Sequence, residues 1–504
     1  MNAVSFRHPE AVPVSRIPVM DMPAFRHGVL EAVAAGLRIA ALYGSPRPGG
    51  GIRLTAVLAD DREGALSLLA ADPGETYPSL TPDCPQAGAF EREIAEQWGV
   101  VPAGHPWLKP LRFHRSFRPG RDAWGRTGTD APKPSVMDFF RMEGEGLHEV
   151  AVGPVHAGII EPGHFRFQCH GEQVLHLEIS LGYQHRGIER ALMGGPHPRT
   201  IHHMETLAGD TTIGHALAYC RAVETLAGCR APARARALRA VALELERLAN
   251  HTGDLGALAG DIGFLPTASF CGRLRGDFLN MTALLCGSRF GRGLVRPGGT
   301  AFDADPARVA ELRRRLDATF RDVTGAVNLL WETPSVLARF EHTGTVSLSL
   351  AIELGLVGPA ARASGRDMDS RRDFPVEGAE FGAGPVAVQE SGDVFARAYV
   401  RWLEIQRSVE FIHGQLAALP AGPVRAACGP PAPNALAVSI SEGWRGEIVH
   451  VAETDASGRF ARYKVVDPSF HNWMGLALAL RGQEISDFPL CNKSFNLSYC
   501  GHDL

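Results

Sequence analysis

Between residues 213 and 418 apolar side chains recur at helical spacing in five segments: 213–226, 235–251, 270–285, a long one opening at Asp305-Pro306 and running to 330, and 393–418. A helix with one apolar stripe must bury it, and neighbouring helices of similar length are the natural partners. This half of the chain therefore predicts a helical bundle core. The first 115 residues read differently. Runs 37–43 and 52–58 are strand-like around the turn SPRPGGG, and 61–70 reads as helix. After YPSLTPDCP, residues 90–98 form a short amphipathic helix with Phe90, Ile94 and Trp98 on one face. By residue type that helix packs on a core and does nothing more. Residues 116–136, rich in Arg, Gly and Pro, lack periodicity and read as a linker. Hairpins are expected at 164–179, around His170-Gly171-Glu172, and at 447–466, around TDASG. The expected class is α+β: a small α/β domain at 1–115, the linker at 116–136, and a mainly helical domain with small β elements at 137–504.

A chain of 504 residues exceeds one ordinary core, which agrees with two domains. A net charge of −4 makes no electrostatic case for nucleic acid. The longest apolar runs, such as LALAL at 476–480, fall short of a membrane span, and no charged leader precedes an apolar segment at the start. A cytoplasmic protein is expected. Nine cysteines are scattered without a C-x-x-C, which argues against a disulfide framework, a zinc knuckle or a contiguous iron-sulfur motif.

Proton-handling groups concentrate in LGYQHRGIERALMGGPHPRTIHHMETLAGDTTIGH, residues 181–215. Two readings fit that density: the wall of a buried site, or a polar helix connection whose histidines are solvated or capping. Residues 358–375 carry four arginines and three aspartates without apolar periodicity and read as a solvated or partner-facing loop. In SEGWRGE, 441–447, Arg445 is open to a local ion pair or a site role.

YPSLTPDCPQAGAFEREIAEQWG (77–99) resembles the docking subunit of respiratory NADH:quinone oxidoreductase, a domain also fused ahead of the large subunit in formate hydrogenlyases. GPVH (153–156), EPGHFR (161–166), HRGIE (185–189), LELERLANH (243–251), EGWRGE (442–447), DPSFHNW (467–473) and DFPL (487–490) resemble the large subunit of group 4 nickel-iron hydrogenases and its quinone-site relative. The resemblance covers nearly the whole chain. It implies four thiolates on nickel and iron, but the matching positions hold Ala208, Thr211, Ser498 and Gly501. Soft metal chemistry has no ligand in alanine or glycine and a hard, rarely ionised one in Ser or Thr. No nickel-iron centre is expected, even allowing Cys500 or Cys491 to slip into register. The chain ends where the family's processed large subunit would, so no tail awaiting removal is expected.

What the resemblance implies instead is a subunit coupling electron transfer to proton or ion movement, peripheral on the inner face of the cell membrane. An iron-sulfur small subunit would carry the 4Fe-4S cluster, and antiporter-like membrane proteins would complete the complex. Quinone is the candidate occupant of the cavity, with His156, His164, His202, His203, Asp210 and His215 as lining candidates. His202, His203, His215 and His502 are read as neutral, hydrogen-bonded imidazoles rather than metal ligands, and no metal is assigned. Glu189 matches the family's proton-transfer glutamate and is expected beside Arg186 or a histidine such as His185, titrating near neutral pH. Glu189→Gln is then expected to slow turnover with folding intact. Arg445 matches the arginine that overhangs the metal in true hydrogenases. The alternatives are a non-catalytic structural subunit and an active nickel-iron hydrogenase.

Overall fold

The computed structural model describes residues 3–47, 49–126, 132–156, 160–375 and 385–504. All five expected helices form. Thr212–Leu226, Ala233–Asp261, Leu265–Cys286 and Pro306–Glu332 extend the sequence bounds by a few residues, most at Ala233–Asp261, and Val394–Ala417 falls one residue inside them at each end. Asp305 and Asp393 begin two of them, their carboxylates accepting the amides of Arg308 and Ala396 at 2.8 Å each, as N-caps do. Ala233–Asp261 is the central rod, packing on Leu265–Cys286 and on Val394–Ala417 through Leu245, Leu255, Leu274 and Ile405.

The N-terminal sheet has the order Val4–Arg7, Ala65–Ala71, Ile52–Asp60, Arg38–Pro46, with Val19–Met20 also on Ala65–Ala71. The helix expected at 61–70 is instead this sheet's second strand, with Val57 opposite Leu68. Alanine and leucine favour helix, but Leu66 to Ala71 are buried, and pairing on both edges overrides propensity in so short a run. A three-stranded sheet follows: Gln173–Ser180 on His164–His170, the expected hairpin, with Leu147–Val152 added at the far edge. Residues 116–126 and 132–136 have no helix or strand, and 127–131, within the linker expectation, lie outside the described residues.

The C-terminal sheet ties the two halves together. Its order is Phe460–Val466, Gly446–Thr454, Ala435–Gly443 and, from the N-terminal region, Ala11–Pro13, which pairs Val12 with Leu436. Leu42, Val57 and Leu68 of the first sheet share one buried cluster with Val438, Val449 and Val466.

The segment 358–375 is not a solvated loop. Gly358–Arg362 and Ser370–Asp373 are short helices, and the fully buried Arg362 donates to Glu404 at 2.6 Å and Glu442 at 2.8 Å. Arg371 reaches Glu244 at 3.1 Å. Gly358 makes this seat possible, since a Cβ there would meet Gly446 Cα at 2.4 Å. The missing apolar periodicity reflects charges satisfied by other buried charges, which no local pattern reveals.

Candidate functional site

Strand alternation builds the site. In Phe460–Val466, Arg462 and Lys464 share one face while Tyr463 and Val465 take the other. The first face meets the helix Gly88–Trp98, which is buried on both its apolar and its acidic side. Lys464 Nζ donates to Glu93 at 2.6 Å and Glu189 at 3.1 Å; Arg462 donates to Glu189 and to the side-chain oxygen of Gln97, each at 2.8 Å. Gln97 also donates to Glu189 at 3.0 Å, the Val465 amide does so at 3.0 Å, and Arg112 pairs with Glu93.

Glu189 therefore sits among cations, and neither Arg186 nor any of the expected histidines is a hydrogen-bond partner. Burial pushes its carboxyl up, but Arg462, Lys464 and Arg112 outweigh it and hold the group well below the usual carboxylate range. The expected rise toward neutral pH is not found. Arg186 instead donates to the carbonyls of Thr206 at 2.7 Å and Leu207 at 2.8 Å. His185 bonds the Asp503 carbonyl at 2.8 Å and stacks on His114, and burial with that neighbour lowers it to about 4.

On the other face lies a buried chain of four side chains. Tyr463 Oη is 2.8 Å from His450 Nδ1, His450 Nε2 is 3.1 Å from His215 Nδ1, and His215 Nε2 is 3.0 Å from Asp467 Oδ2. All four are at most 1% exposed. One assignment of protons satisfies every link: Tyr463 O–H donates to His450, His450 N–H to His215, and His215 N–H to the carboxylate. Burial, then His215, holds His450 well below the usual histidine range, while the charges of Asp467 and Glu189 oppose this. Burial raises Asp467, and the bond from His215 and the charges of His215 and Arg445 more than offset it, so it is held lowered. Asp467 also caps Pro468–Ala479 by accepting the Ser469 amide at 2.8 Å.

Beside this chain, Arg445 grips Asp210 with both Nη atoms, at 2.6 and 2.8 Å, and lies 3.9 Å over the Trp444 ring. The ion pair left open by the sequence is thus real, and it joins EGWRGE to the 181–215 stretch. Glu246 accepts the Ile213 amide at 2.7 Å and the Gly214 amide at 3.2 Å, yet burial, aided by Asp210, raises it to about 8. Asp210, Glu246 and Asn250 line a cavity of about 10 Å³, room for about one water.

The remaining candidates are dispersed. His164 is buried, 3.4 Å from the Gly153 carbonyl, and burial lowers its pKa; the half-buried His156 bonds the Gly163 carbonyl at 3.0 Å. His202 is exposed and bonds Glu205 at 3.1 Å, and His203 is half-buried on the same short helix Thr200–Met204. His502 is buried against Asp503 at 3.0 Å. Sequence reasoning missed His450, Tyr463, Arg462, Lys464, Glu93 and Gln97, and assigned no role to Asp467. The available signal was cations at i and i+2 in an otherwise apolar strand, and the acidic run FEREIAE.

Comparison with known proteins agrees with this architecture. Residues 261–433 match the family described as respiratory-chain NADH dehydrogenase, 49 Kd subunit, and residues 49–128 match its 30 Kd subunit. Formate hydrogenlyase subunit 5 of Escherichia coli is 31% identical over 444 residues, 84% of this chain and 76% of the relative. The chain belongs to this family of hydrogenase and NADH dehydrogenase subunits. The carbon monoxide-induced hydrogenase of Rhodospirillum rubrum is 31% identical over 69% of this chain and 97% of its own length. NADH-quinone oxidoreductase subunit 4 of Thermus thermophilus is 31% identical over 71% and 93%.

The two stretches in which the sequence resemblance places Ala208, Thr211, Ser498 and Gly501 at ligand positions come together. Arg186, held at the carbonyls of residues 206 and 207, also approaches the Cys500 carbonyl at 3.5 Å. Other groups fill the space. A Cβ on Gly501 would lie 2.7 Å from the Asp467 carboxylate. Ser498 Oγ accepts the Gly501 amide at 2.9 Å, Thr211 Oγ lies 3.1 Å from the Trp444 ring N–H, and Ala208 is buried. Burial pushes the thiols of Cys491 and Cys500 each up to about 12, and Cys491 packs into the helical core. These residues do not fit a four-thiolate nickel-iron group. Among the described residues, no three His, Cys, Asp or Glu side chains converge as a metal site, and no helix is long and apolar enough to cross a membrane.

Proposed function

We propose that this chain is a subunit of a membrane-associated redox complex that couples electron transfer to proton or ion movement and has lost the nickel-iron centre of its hydrogenase relatives. The observation that carries this reading is the buried chain Tyr463–His450–His215–Asp467, which ends against Gly501, where the hydrogenase pattern calls for a ligand. A carboxylate takes the metal's neighbourhood, and a path for protons remains. A proton entering at one end can be matched by one leaving at the other, each group accepting on one side as it donates on the other, without displacing a heavy atom. Glu189, on the short helix Ile188–Leu192 beside the strand Phe460–Val466, then acts as a fixed charge whose field opposes the lowering of His450. Arg445 and Asp210 close the other side.

The kinship with hydrogenase and NADH-quinone oxidoreductase subunits supports a peripheral position on the inner face of the cell membrane, an iron-sulfur small subunit as electron partner, and antiporter-like membrane subunits. It also supports quinone as the acceptor. The division into a docking domain at 1–115, a linker at 116–136 and a large-subunit domain at 137–504 is part of this proposal. A structural subunit is the second reading, favoured by the complete pairing of Glu189.

The test is His450→Gln and His215→Asn in the intact complex, following electron transfer, proton movement and co-purification of subunits. The proposal expects assembly to persist and coupled turnover to fall roughly 10²-fold. Unchanged turnover in both variants would favour the structural subunit. Stoichiometric nickel in the purified complex would overturn the loss of the metal.

A further inference from the structure

A cavity of about 520 Å³ lies between the helix Gly88–Trp98, the strand Gln173–Ser180 and the helix Pro468–Ala479. That volume suits a ligand of some twenty to thirty heavy atoms. Its walls are apolar and aromatic, with Phe90, Trp107, Leu177 and Trp473 among them.

Two arginines and one carboxylate, Glu178, line the cavity. Arg92 lines it and is fixed by the carbonyls of Lys109 at 2.9 Å and Pro110 at 2.8 Å, with no carboxylate in ion-pair contact among the described residues. Arg481 at the rim also has no such partner there. The lining carboxylate, Glu178, is taken by Lys109 at 2.7 Å and the Phe140 amide at 2.8 Å. An apolar chamber walled by two arginines that make no ion-pair contact among the described residues selects a hydrocarbon body with an anionic head.

We propose that this cavity binds an amphipathic carboxylate of the long-chain fatty-acid class, with the hydrocarbon against the aromatic walls and the carboxylate toward Arg92 and Arg481. It is separate from the Glu189 and His215 networks. Because it is walled by both Gly88–Trp98 and Pro468–Ala479, an occupant would brace the two against each other.

The test uses the purified full chain, titrated with oleate, oleyl alcohol and decylubiquinone while tryptophan emission is followed, since Trp107 and Trp473 line the cavity. Saturable one-site binding of oleate is expected, at least tenfold tighter than that of the alcohol or the quinone. Arg481→Gln, at an exposed residue, should weaken oleate about tenfold and leave the alcohol unchanged. Ala89→Phe, and separately Met474→Trp at a second wall position, should fill the chamber and abolish binding with thermal melting retained. Absence of saturable oleate binding, tighter binding of the quinone, or full binding in both filled variants would overturn the proposal. So would loss of binding in the assembled complex, which would make a partner's side chain the occupant.

Discussion

Glu189 illustrates how burial and charge decide what a carboxylate does. It faces Arg462 and Lys464 in a dry site, so the cost of losing its charge falls on two cations that cannot reach water. Glu189→Gln is expected to destabilise the chain by about 3 kcal/mol in urea unfolding, and Arg462→Met in the same background to recover part of it. This replaces the expectation of an intact fold. The sign follows from the depressed folded pKa: the contribution is complete above the ordinary value of 4.5 and is lost as pH falls below it. Glu246 has the opposite sign. Its folded pKa is raised to about 8, so its contribution is complete below 4.5 and disappears as pH rises toward 8. Unfolding free energies of wild type and Glu246→Gln from pH 5 to 8 should therefore diverge in favour of the variant, by on the order of 2 kcal/mol at the upper end.

At the scale of elements, the C-terminal helix Tyr499–Asp503 and the helix opened by Asp467 interlock at Gly501. Gly501→Ala should push Asp467 off His215 and cost about 1–3 kcal/mol, read as a lowered Tm. Placing cysteines together at Ala208, Thr211, Ser498 and Gly501 meets the same collision. That variant is expected to melt earlier and to show no hydrogen oxidation, because ligands without the groups that orient them do not make a working centre. Hydrogen turnover above background in that variant would contradict this account.

At the scale of the molecule, the N-terminal sheet and the C-terminal sheet share one core, and Ala11–Pro13 is a strand of the latter. Residues 1–115 expressed alone would expose the face that covers Val438, Val449 and Val466. They are expected to bind a hydrophobic dye and to unfold without a sharp transition, unlike the full chain. A cooperative, dye-silent fragment would show instead that the N-terminal unit closes its own core.

The sequence by itself determined the five helices, the start signal at Asp305-Pro306, the hairpins, the α+β class and the kinship, because each rests on period, turn chemistry or an ordered motif read along the chain. It also brought Arg445, Asp210 and His215 forward as site residues. It misread Ala65–Ala71 and 358–375, where burial on both sides and buried ion pairs replace local pattern. Only the tertiary structure decided that Glu189 answers to Arg462 and Lys464, and that His215 meets His450 and Asp467. Those partners lie more than two hundred residues away in the chain. Hydrogen bonds and desolvation act over a few ångströms of space, and sequence distance carries no information about which groups the fold brings that close.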